Sequence, residues 1–408
     1  MKDLKRVFKQ IDDSTEMMVA LQTALTAVPA IAPESGGSGE AAKAELLEKE
    51  LHRLGLTDTQ NYPAPDERVP GRERPNIVAS LPGPKKGPSF WIMSHLDVVP
   101  PGEESGWQSD PYKLVRKNGR LYGRGTEDNQ QGMVSSIAAA SALLELGLRP
   151  SRPVKLLFVA DEETGSEHGI QHLLANTELF DEGDQVLVPD GGSADGSMIQ
   201  IAEKSLIWLR FQTLGKQCHA STPDQGKNAF LAGSELVCRL SELGELYSEE
   251  NPLFDPPRST FAPTKKEANV PNINTIPADD VFYLDCRVLP EIDLDALMAR
   301  IADICLEVEK KHSVTVRVST VQRVSSPPTP EDAPLVASLK KVLPLVYDVK
   351  PRTYGIGGGT VASYLRNRGI HTVVWSRLDE TMHMPNEYCC LENMLGDAKI
   401  MAALMLGE

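Results

Sequence analysis

The hydrophobic residues of this chain fall into short, nearly unbroken apolar runs that alternate with amphipathic stretches. The apolar runs predict strands buried on both faces over residues 76–81, 89–95, 154–160, 185–188 and 372–376. Apolar residues at three- and four-residue steps predict helices over 3–28, 40–54, 133–146, 335–347 and 391–406. Alternating strands and helices of this kind are typical of an α/β domain with a mostly parallel sheet.

The pattern changes at about residue 201. Residues 204–214 alternate apolar and polar positions, as a half-exposed antiparallel strand does. The elements predicted next are a helix over 228–247, strands over 268–276 and 280–289, a helix over 293–309 and a strand over 314–322. This order predicts a ferredoxin-like α+β domain inserted into the first domain. We therefore divide the chain into a catalytic domain formed by 1–202 and 324–408, and an inserted domain at 203–323.

Length and composition agree with two ordinary globular domains. The chain has 408 residues, more than one hydrophobic core usually supports, with 41% hydrophobic and 24% charged residues. Its formal net charge of −15 argues against nucleic acid or an anionic membrane as a partner, because either would require basic patches. The excess of acids fits solubility and a cation-binding cleft.

Several features lead us to expect a cytoplasmic protein. The six cysteines form no C-x-x-C pair, which indicates reduced thiols rather than a disulfide scaffold. No apolar run approaches the roughly 20 residues that a membrane-spanning helix needs. The first residues, MKDLKRVFKQIDDSTEMM, contain scattered acids and lack a continuous apolar core, so they do not resemble a signal peptide.

The predicted strand at 154–160 is followed directly by three acids, Asp161, Glu162 and Glu163. Strands of α/β folds deliver functional side chains at their carboxyl ends. Adjacent carboxylates repel each other, and a bound cation is the simplest way to offset their charge. A solvated acidic turn is the alternative for this segment.

Ligand-type side chains recur at other strand ends. His95 and Asp190 lie at or just beyond the ends of apolar runs, and His383 follows the last predicted strand. We expect these three residues to converge with Glu163 on a metal site. Imidazole and carboxylate donors favour zinc, with manganese or cobalt as substitutes. Asp97, two residues after His95, can accept the other ring N–H and fix the histidine tautomer.

The chain contains, in this order, the motifs HLDVVP, GRGTEDNQQG, ADEETGS, VPDGG, CHAST and TMHMPNE. In order and approximate spacing they resemble the motifs of the co-catalytic zinc family that includes succinyl-diaminopimelate desuccinylase, acetylornithine deacetylase, aminoacylase, carboxypeptidase G and several dipeptidases. The resemblance begins at about residue 15 and runs to residue 408. It implies a zinc-exopeptidase-like catalytic domain, two Zn²⁺ ions per subunit and a homodimer formed through the inserted domain.

The resemblance implies a set of metal ligands, position by position. His95 and Asp190 would bind one zinc ion, and Glu163 and His383 would bind the other. Asp128 would bridge the two ions, and in relatives the peptide bond after this aspartate is cis.

Two further acids would act beside the ions. Glu162 would be the general base, taking a proton from the attacking water and passing it to the leaving amine. Asp97 would orient His95. The family usually has Lys-Gly after the bridging aspartate, whereas here residues 129–131, NQQ, precede Gly132.

The resemblance also points to four residues outside the metal shell. His219 would stabilise the oxyanion in a partner subunit's active site, although on its own it is expected to be an exposed loop histidine. Asn274 and Arg287 would bind the substrate's carbonyl and carboxylate. A turn asparagine and an arginine in an exposed ion pair are the alternatives for these two. Gly358 belongs to the glycine loop 355–359, which in relatives holds a substrate carboxylate.

We therefore expect a metal-dependent hydrolase that cleaves an amide or peptide bond in a small substrate with a free carboxylate. N-succinyl and other N-acyl amino acids are one substrate class, because the chain resembles desuccinylase-like metallohydrolases. Dipeptides are the other, because the position of Asp190 is Glu in the deacylases and carboxypeptidase G but Asp in the dipeptidases. A metal-binding protein without catalysis would have no need of Glu162 as a free base. Nucleotide binding by the segment GIGGGT, residues 355–360, is a further alternative, although this segment lacks the lysine and spacing of a P-loop.

Overall fold

The structure is a computed structural model that describes residues 2–83 and 86–408. It divides the chain into two compact units. The first unit contains the residues up to Ile201 together with Thr329–Thr353 and Tyr364–Glu408, and the second contains Ala202–Pro328 and Tyr354–Ser363. The glycine-rich segment thus belongs to the second unit. The division at residues 202 and 323 into folding domains stays a prediction.

The helices are α1 (Lys2–Asp13), α2 (Thr15–Thr26), α3 (Ala41–Arg53), α4 (Gln130–Glu145), α5 (Ile170–Asn176), α6 (Ala229–Ser241), α7 (Leu243–Leu246), α8 (Leu294–His312), α9 (Pro334–Val346), α10 (Ala362–Arg366) and α11 (Leu391–Leu406). The strands are β1 (Asp58–Asn61), β2 (Ala64–Pro65), β3 (Glu73–Arg74), β4 (Ile77–Ser80), β5 (Phe90–His95), β6 (Val115–Lys117), β7 (Arg120–Tyr122), β8 (Val154–Val159), β9 (Gln185–Ser193), β10 (Met198–Glu203), β11 (Ser205–Leu214), β12 (Cys218–His219), β13 (Thr260–Lys266), β14 (Thr275–Ile276), β15 (Asp279–Val288), β16 (Thr315–Val324), β17 (Arg352–Ile356), β18 (His371–Arg377) and β19 (Tyr388–Cys390).

The first unit is built on a central sheet with the strand order β1-β4-β8-β5-β9-β18-β10-β17. Its central strands β8, β5, β9 and β18 run parallel, whereas β1 with β4, β4 with β8 and β10 with β18 pair antiparallel. The carboxyl ends of the parallel strands therefore lie at one edge of the sheet, as the apolar runs predicted. The mixed α/β fold with a mostly parallel central sheet is confirmed.

Two small-residue-rich helices cover the centre of this sheet. Helices α4 and α11 pack against each other, α4 also contacts β5, and α11 contacts β18. The run Ala138–Ala139–Ala140 in α4 is fully buried, because short side chains let the helix approach its neighbours closely. The core formed by these helices holds the strand ends in a fixed frame.

The second unit is an α+β fold with an antiparallel sheet in the order β13-β15-β11-β16. Strands β15 and β16 both pair antiparallel with β11, and β13 pairs antiparallel with β15. Helices α6 and α8 pack together, and the core contains the stacked rings of Phe211 and Phe282 with centroids 4.9 Å apart. This order of strands and helices is the ferredoxin-like arrangement expected for the inserted domain.

One strand of the inserted domain was predicted in the wrong place. Only Thr275–Ile276 of the predicted strand 268–276 is in a strand. The fourth strand of the sheet is β13, Thr260–Lys266, which was not predicted. Its sequence, TFAPTKK, contains Pro263 and two lysines, which disfavour a strand. As an edge strand, β13 tolerates the proline at a register shift between Pro263 and Lys265.

The single helix predicted over 3–28 is two helices, which break at Ser14. The Ser14 hydroxyl donates to the carbonyl oxygen of Gln10 at 2.8 Å, and the Thr15 hydroxyl donates to that of Asp12 at 2.7 Å. Such side chains compete with the helical hydrogen bonds of the backbone, which explains the break. In residues 2–83 and 86–408, no helix is long and apolar enough to cross a membrane. The cytoplasmic location expected from the sequence stays a prediction.

Candidate metal centre

His95 is the last residue of β5, and its ring is almost completely buried. Its Nε2 atom lies 2.9 Å from Asp128 Oδ1 and 3.7 Å from Asp190 Oδ2. Its Nδ1 atom lies 3.0 Å from the backbone carbonyl oxygen of Asp97 and 3.5 Å from the Asp97 carboxylate. Because a carbonyl oxygen only accepts, Nδ1 carries a proton and Nε2 faces the carboxylates.

Asp128 lies between two histidines. While Oδ1 faces His95, its Oδ2 atom lies 3.0 Å from His383 Nε2. The same His383 nitrogen lies 3.1 Å from Glu163 Oε2. The cis peptide bond implied by the resemblance is present between Asp128 and Asn129. One carboxylate thus offers an oxygen to each of two donor groups.

Glu162 and Glu163 lie on the turn that follows β8, and Asp97 holds this turn. The Asp97 carboxylate accepts hydrogen bonds from the backbone N–H groups of Glu162 at 3.1 Å and Glu163 at 3.0 Å. Its side chain is fully buried. Asp97 therefore contacts both the histidine and the acidic turn, and the second of these contacts was not predicted from the sequence.

Asp161, the first of the three acids, is directed into a separate buried network. It has a left-handed backbone conformation with φ of 65°, and its carboxylate accepts from Arg74 Nη1 at 3.0 Å. It also lies 3.0 Å from His168 Nδ1 and accepts the His168 backbone N–H at 2.9 Å. Asp161 therefore anchors the turn, together with Arg74 and His168.

Asp190 lies within β9 rather than beyond its end. The pairing of β9 with β18 slips here, so that Val188 pairs with Val374 but Gly192 pairs with Ser376. Such bulges change the direction of side chains near active sites. The side-chain amide of Asn129 donates to Asp190 Oδ1 at 2.8 Å, which fixes the orientation of this carboxylate.

Three residues of this cluster have pKa values well above the ordinary values for their side chains. Burial raises the pKa of Glu162 well above its usual value, and the neighbouring Asp190 and Glu163 raise it further. Burial and Asp128 raise the pKa of Asp190 to about 7. Hydrogen bonds to Asp128 and Glu163 raise the pKa of His383 to about 10. Glu162, Asp190 and His383 therefore hold their protons more tightly than usual, because carboxylates crowd together here. A bound cation would stabilise the ionised carboxylates instead.

The donor set fits a divalent metal. One ligand atom from each of His95, Glu162 and Asp190 lies within 4.8 Å of the others, and the same holds for His95, Asp128 and Glu163. The buried Oε1 atom of Glu163 has no hydrogen-bond partner among the described residues, as expected for an oxygen reserved for a ligand. Imidazole and carboxylate donors without thiolates suit zinc, manganese or cobalt.

Two glutamates of this region were given no role from the sequence. Glu127 and Glu387 are almost fully buried beside the loops that carry Asp128 and His383. Both occur within motifs quoted above, GRGTEDNQQG and TMHMPNE, which was the available signal. Each glutamate accepts hydrogen bonds from a loop about 250 residues away in the chain, and nothing in the sequence indicates which loop that is.

The four predicted residues outside the metal shell lie in the second unit. His219 is exposed in β12, where it pairs with Thr275 of β14, and its Nδ1 atom lies 2.7 Å from the Ser221 hydroxyl. The backbone carbonyl oxygen of Asn274 accepts a hydrogen bond from the backbone N–H of Ala220 at 2.9 Å. His219 in β12 and Asn274, which directly precedes β14, are thus close to each other at one small sheet.

Arg287 lies beside the glycine loop. Its guanidinium donates to the Asp285 carboxylate at 2.7 and 3.0 Å and to the backbone oxygen of Gly357 at 2.8 Å. Gly358 follows directly, and the loop is fixed at its far end because the Thr360 backbone N–H and hydroxyl donate to Glu203 at 3.0 and 2.6 Å. The arginine and the loop form one fixed group within this unit.

Comparison with known proteins places these observations in a family. The sequence model of Peptidase family M20/M25/M40 matches residues 91–407. An uncharacterized metallohydrolase of Methanocaldococcus jannaschii is 36% identical over 405 residues, which cover 95% of this chain and 98% of that protein. A succinyl-diaminopimelate desuccinylase of Rhodospirillum centenum is 30% identical over 318 residues, 76% of this chain and 77% of that protein.

A solved structure shares the fold along nearly the whole chain. The crystal structure of aminopeptidase PepT from Bacillus cereus superposes with a TM-score of 0.76 at 20% identity, covering 97% of this chain and 99% of that one. The family match over most of the chain and the relative at 36% identity confirm the resemblance of the motifs, and they show that this protein is a metallohydrolase of peptidase family M20/M25/M40.

Proposed function

We propose that the centre holds two divalent cations, with zinc as the preferred metal. His95, Asp128 and Asp190 would hold one ion, and Asp128, Glu163 and His383 would hold the other. This assignment is supported by the distances from Asp128 to the two histidines, 2.9 and 3.0 Å. The Glu163 Oε1 atom, which has no hydrogen-bond partner in the described part of the chain, also supports it.

The reaction that this centre supports best is hydrolysis of an amide bond. When bound, the two cations would lower the pKa of water and polarise the scissile carbonyl. Glu162 takes the proton from the attacking water and delivers it to the leaving amine. A base that returns its proton needs a pKa above that of an ordinary carboxyl group, and burial raises the pKa of Glu162 in this direction.

The substrate that we propose is a small N-acyl amino acid, such as an N-succinyl amino acid. Arg287 and the backbone of the glycine loop at Gly358 would bind its carboxylate, because a guanidinium and backbone N–H groups are suited to planar anions. Asn274 would contact the substrate's carbonyl oxygen, and His219 would stabilise the oxyanion in a partner subunit's active site. The desuccinylase of R. centenum, 30% identical to this chain, supports this substrate class.

A dipeptide is the second candidate, and Asp190 is the observation that favours it. The resemblance places Asp here in the dipeptidases and Glu in the deacylases. An aspartate side chain is one methylene shorter than glutamate, so Asp190 depends on the β9 bulge and on Asn129 to reach the site. The two substrate classes share the metal centre and differ in the group that precedes the scissile bond.

The convergence of His95, Asp128, Asp190, Glu163 and His383 is the single observation that carries this proposal. The test is a hydrolysis screen of N-succinyl, N-acetyl and dipeptide substrates with zinc, cobalt or manganese. We expect turnover of one substrate class that disappears with a chelator. Absence of turnover on all three classes, together with thermal stabilisation by ATP but not by zinc, would instead favour nucleotide binding.

The general base is tested on the substrate that the screen identifies. Glu162→Ala is expected to lower kcat by about 10²- to 10⁴-fold, since that is the usual contribution of general acid–base catalysis. Exposed Glu178 provides a matched control, because Glu178→Ala removes a carboxylate of the same unit that contacts none of the proposed ligands. Unchanged turnover of Glu162→Ala would show that the base is misassigned.

We also propose that two copies associate through the second unit. Strand β16 is one of the two edge strands of its sheet and exposes Val318 and Val321, and α8 exposes Leu306. An unpaired strand edge with apolar side chains is suited to pairing with a second copy. Sedimentation of Val321→Lys should show dissociation to monomers, whereas Leu345→Lys, at an exposed leucine of the first unit, should leave the dimer intact. A wild-type monomer would exclude the dimer.

A further inference from the structure

Two buried glutamates connect the loop that carries Asp128 to the loop that carries His383. Glu127 directly precedes Asp128 in the chain, and Glu387 follows His383 within the segment between β18 and β19. Glu127 is 2% exposed and Glu387 is 0% exposed. A carboxylate buried to this extent requires several hydrogen-bond donors, and the identity of those donors reveals its role.

Glu127 accepts its hydrogen bonds from the segment just before His383. The backbone N–H groups of Asp379 and Met382 donate to it at 2.6 and 3.1 Å, and the backbone N–H of Thr381 donates to it as well. One carboxylate therefore serves three amides of a loop that has no regular secondary structure. Without it, these partly buried amides would lose their acceptor, which is unfavourable for polar groups shielded from water.

Glu387 makes the reciprocal contacts. It accepts the backbone N–H groups of Gly125, Glu127 and Asp128 at 2.9, 2.9 and 3.1 Å, and it accepts Arg124 Nη1 at 2.6 Å. The acid of each loop thus binds three backbone amides of the other loop. The two loops can shift relative to each other only if both sets of bonds are broken.

The loop that carries His383 needs such support. Glu380, His383 and Asn386 all have positive φ angles, 59°, 62° and 61°, which are uncommon for residues other than glycine. Conformations of this kind persist only where the surroundings fix them. His95 and Asp190, by contrast, are placed by the hydrogen bonds of β5 and β9.

We propose that Glu127 and Glu387 are positioning residues that hold Asp128 and His383 at the separation required to bind the second cation. The inference rests on the proposed dinuclear centre and concerns the ion shared by Asp128, Glu163 and His383. Because the ligands His95 and Asp190 are held by strands, loss of the glutamate contacts weakens the second ion more than the first.

The test is Glu127→Gln with Co²⁺ as the probe. Glutamine keeps the shape of glutamate but directs an NH₂ group at backbone N–H donors, so the loop before His383 must shift. We expect the second Co²⁺ to bind about 10- to 100-fold more weakly, as for other residues that orient metal ligands, with a smaller change for the first. Stoichiometry is measured by equilibrium dialysis, the ligand field by visible absorption of Co²⁺, and the stability of the metal-free protein by thermal unfolding.

A second variant tests the opposite side of the contact. Glu387→Gln alone would leave the guanidinium of Arg124 buried without a carboxylate, so it is combined with Arg124→Met. The double variant is expected to show the same selective loss of the second ion. The matched control is Asp184→Asn, because Asp184 is also buried and accepts Ser89 N–H at 2.6 Å and Trp91 Nε1 at 2.7 Å. It lies at the amino ends of the parallel strands and should lose stability while binding both ions as the wild type does.

Each outcome distinguishes the positioning role from the alternatives. Selective loss of the second ion in Glu127→Gln and in the double variant, but not in Asp184→Asn, supports the role. If Glu127→Gln binds both ions with wild-type affinity, whatever its melting temperature, the glutamate is merely structural and the inference is wrong. Equal weakening of both ions also overturns it. Failure of the dinuclear proposal itself would be visible in the wild type, as binding of fewer than two ions.

Discussion

The Nε2 atom of His383 lies 3.0 Å from Oδ2 of Asp128, although neither residue belongs to a regular helix or strand. The histidine is half-exposed, whereas the aspartate is nearly buried. The exposed side of the centre is thus formed by a histidine on an irregular loop, whereas the more buried His95 and Asp190 belong to strands β5 and β9. This asymmetry suggests that the two proposed ions differ in how firmly they are held.

Removing the imidazole of His383 tests that asymmetry. We expect His383→Ala to bind one divalent ion per chain in place of two, because the second ion loses one of its three proposed protein ligands. Metal content after equilibrium dialysis measures the change. His52→Ala, on the exposed face of α3, is the control and should retain both ions. Two tightly bound ions in His383→Ala would show that this residue is not a ligand.

The double contact of Asp97 leads to a different prediction. Asparagine has one carbonyl oxygen, so Asp97→Asn can accept only one of the two N–H groups from Glu162 and Glu163. The other N–H would face an NH₂ group, and the acidic turn would move. We expect metal affinity to fall by about 10- to 100-fold and kcat to fall with it. Wild-type metal affinity and kcat in Asp97→Asn would show that the backbone carbonyl alone orients His95.

Arg287 is expected to determine recognition of the substrate's carboxylate. Lysine retains the charge but cannot make the planar, two-point contact, so Arg287→Lys should raise KM for carboxylate substrates by about tenfold, roughly 1.4 kcal/mol, with a small change in kcat. The wild type should show a similar loss on a substrate whose carboxylate is replaced by a carboxamide. Arg317→Lys, at an exposed arginine of β16, is the matched control.

An unchanged KM for Arg287→Lys would contradict this role. It would instead favour the simpler reading that Arg287 serves Asp285, with which it forms two hydrogen bonds, and the backbone of Gly357. The carboxamide substrate separates the two cases, because it weakens binding only if the carboxylate has a partner in the protein.

The elements closest to the centre were the most predictable from the sequence. Strands β5 and β8 have nearly unbroken apolar runs because both faces are largely buried, and their ends correctly placed His95 and the acids after β8. Helix α11 was predicted with the observed bounds, since its apolar residues recur at helical spacing and Gly407 ends it in a left-handed conformation. Family motifs then identified Asp128, which no periodicity indicates.

Other features could not be predicted because they depend on partners far along the chain. The β9 bulge that directs Asp190 arises from the register with β18, and β13 is a strand only because β15 provides its hydrogen-bond partners. Glu127 and Glu387 are ordinary acids until each meets the backbone amides of the other's loop. A sequence gives residue types and spacing, whereas these roles are set by tertiary contact.

The buried carboxylate of Asp397 predicts an unusual dependence of stability on pH. It lies on α11 and accepts hydrogen bonds from Tyr347 Oη at 2.9 Å and Gln131 Nε2 at 3.0 Å, with Ser376 as a third donor. Burial raises its pKa from 3.8 to about 6, although these hydrogen bonds lower it in part. The folded chain therefore holds this proton more tightly than the unfolded chain does.

A folded-state pKa above the unfolded value gives stability that is complete at low pH and is lost as pH rises. Between about pH 4 and pH 6 the folded chain binds more protons at Asp397, so the free energy of unfolding falls across this window by about 3 kcal/mol from this group. Asp397→Asn has no such proton. The stability of the wild type relative to Asp397→Asn should therefore decrease by up to this amount as pH rises from 4.5 to 7, measured by urea unfolding of the metal-free proteins. A difference that stays constant or grows with pH would mean that Asp397 is ionised throughout and that its hydrogen-bond donors, which include the Arg377 backbone N–H, outweigh its burial.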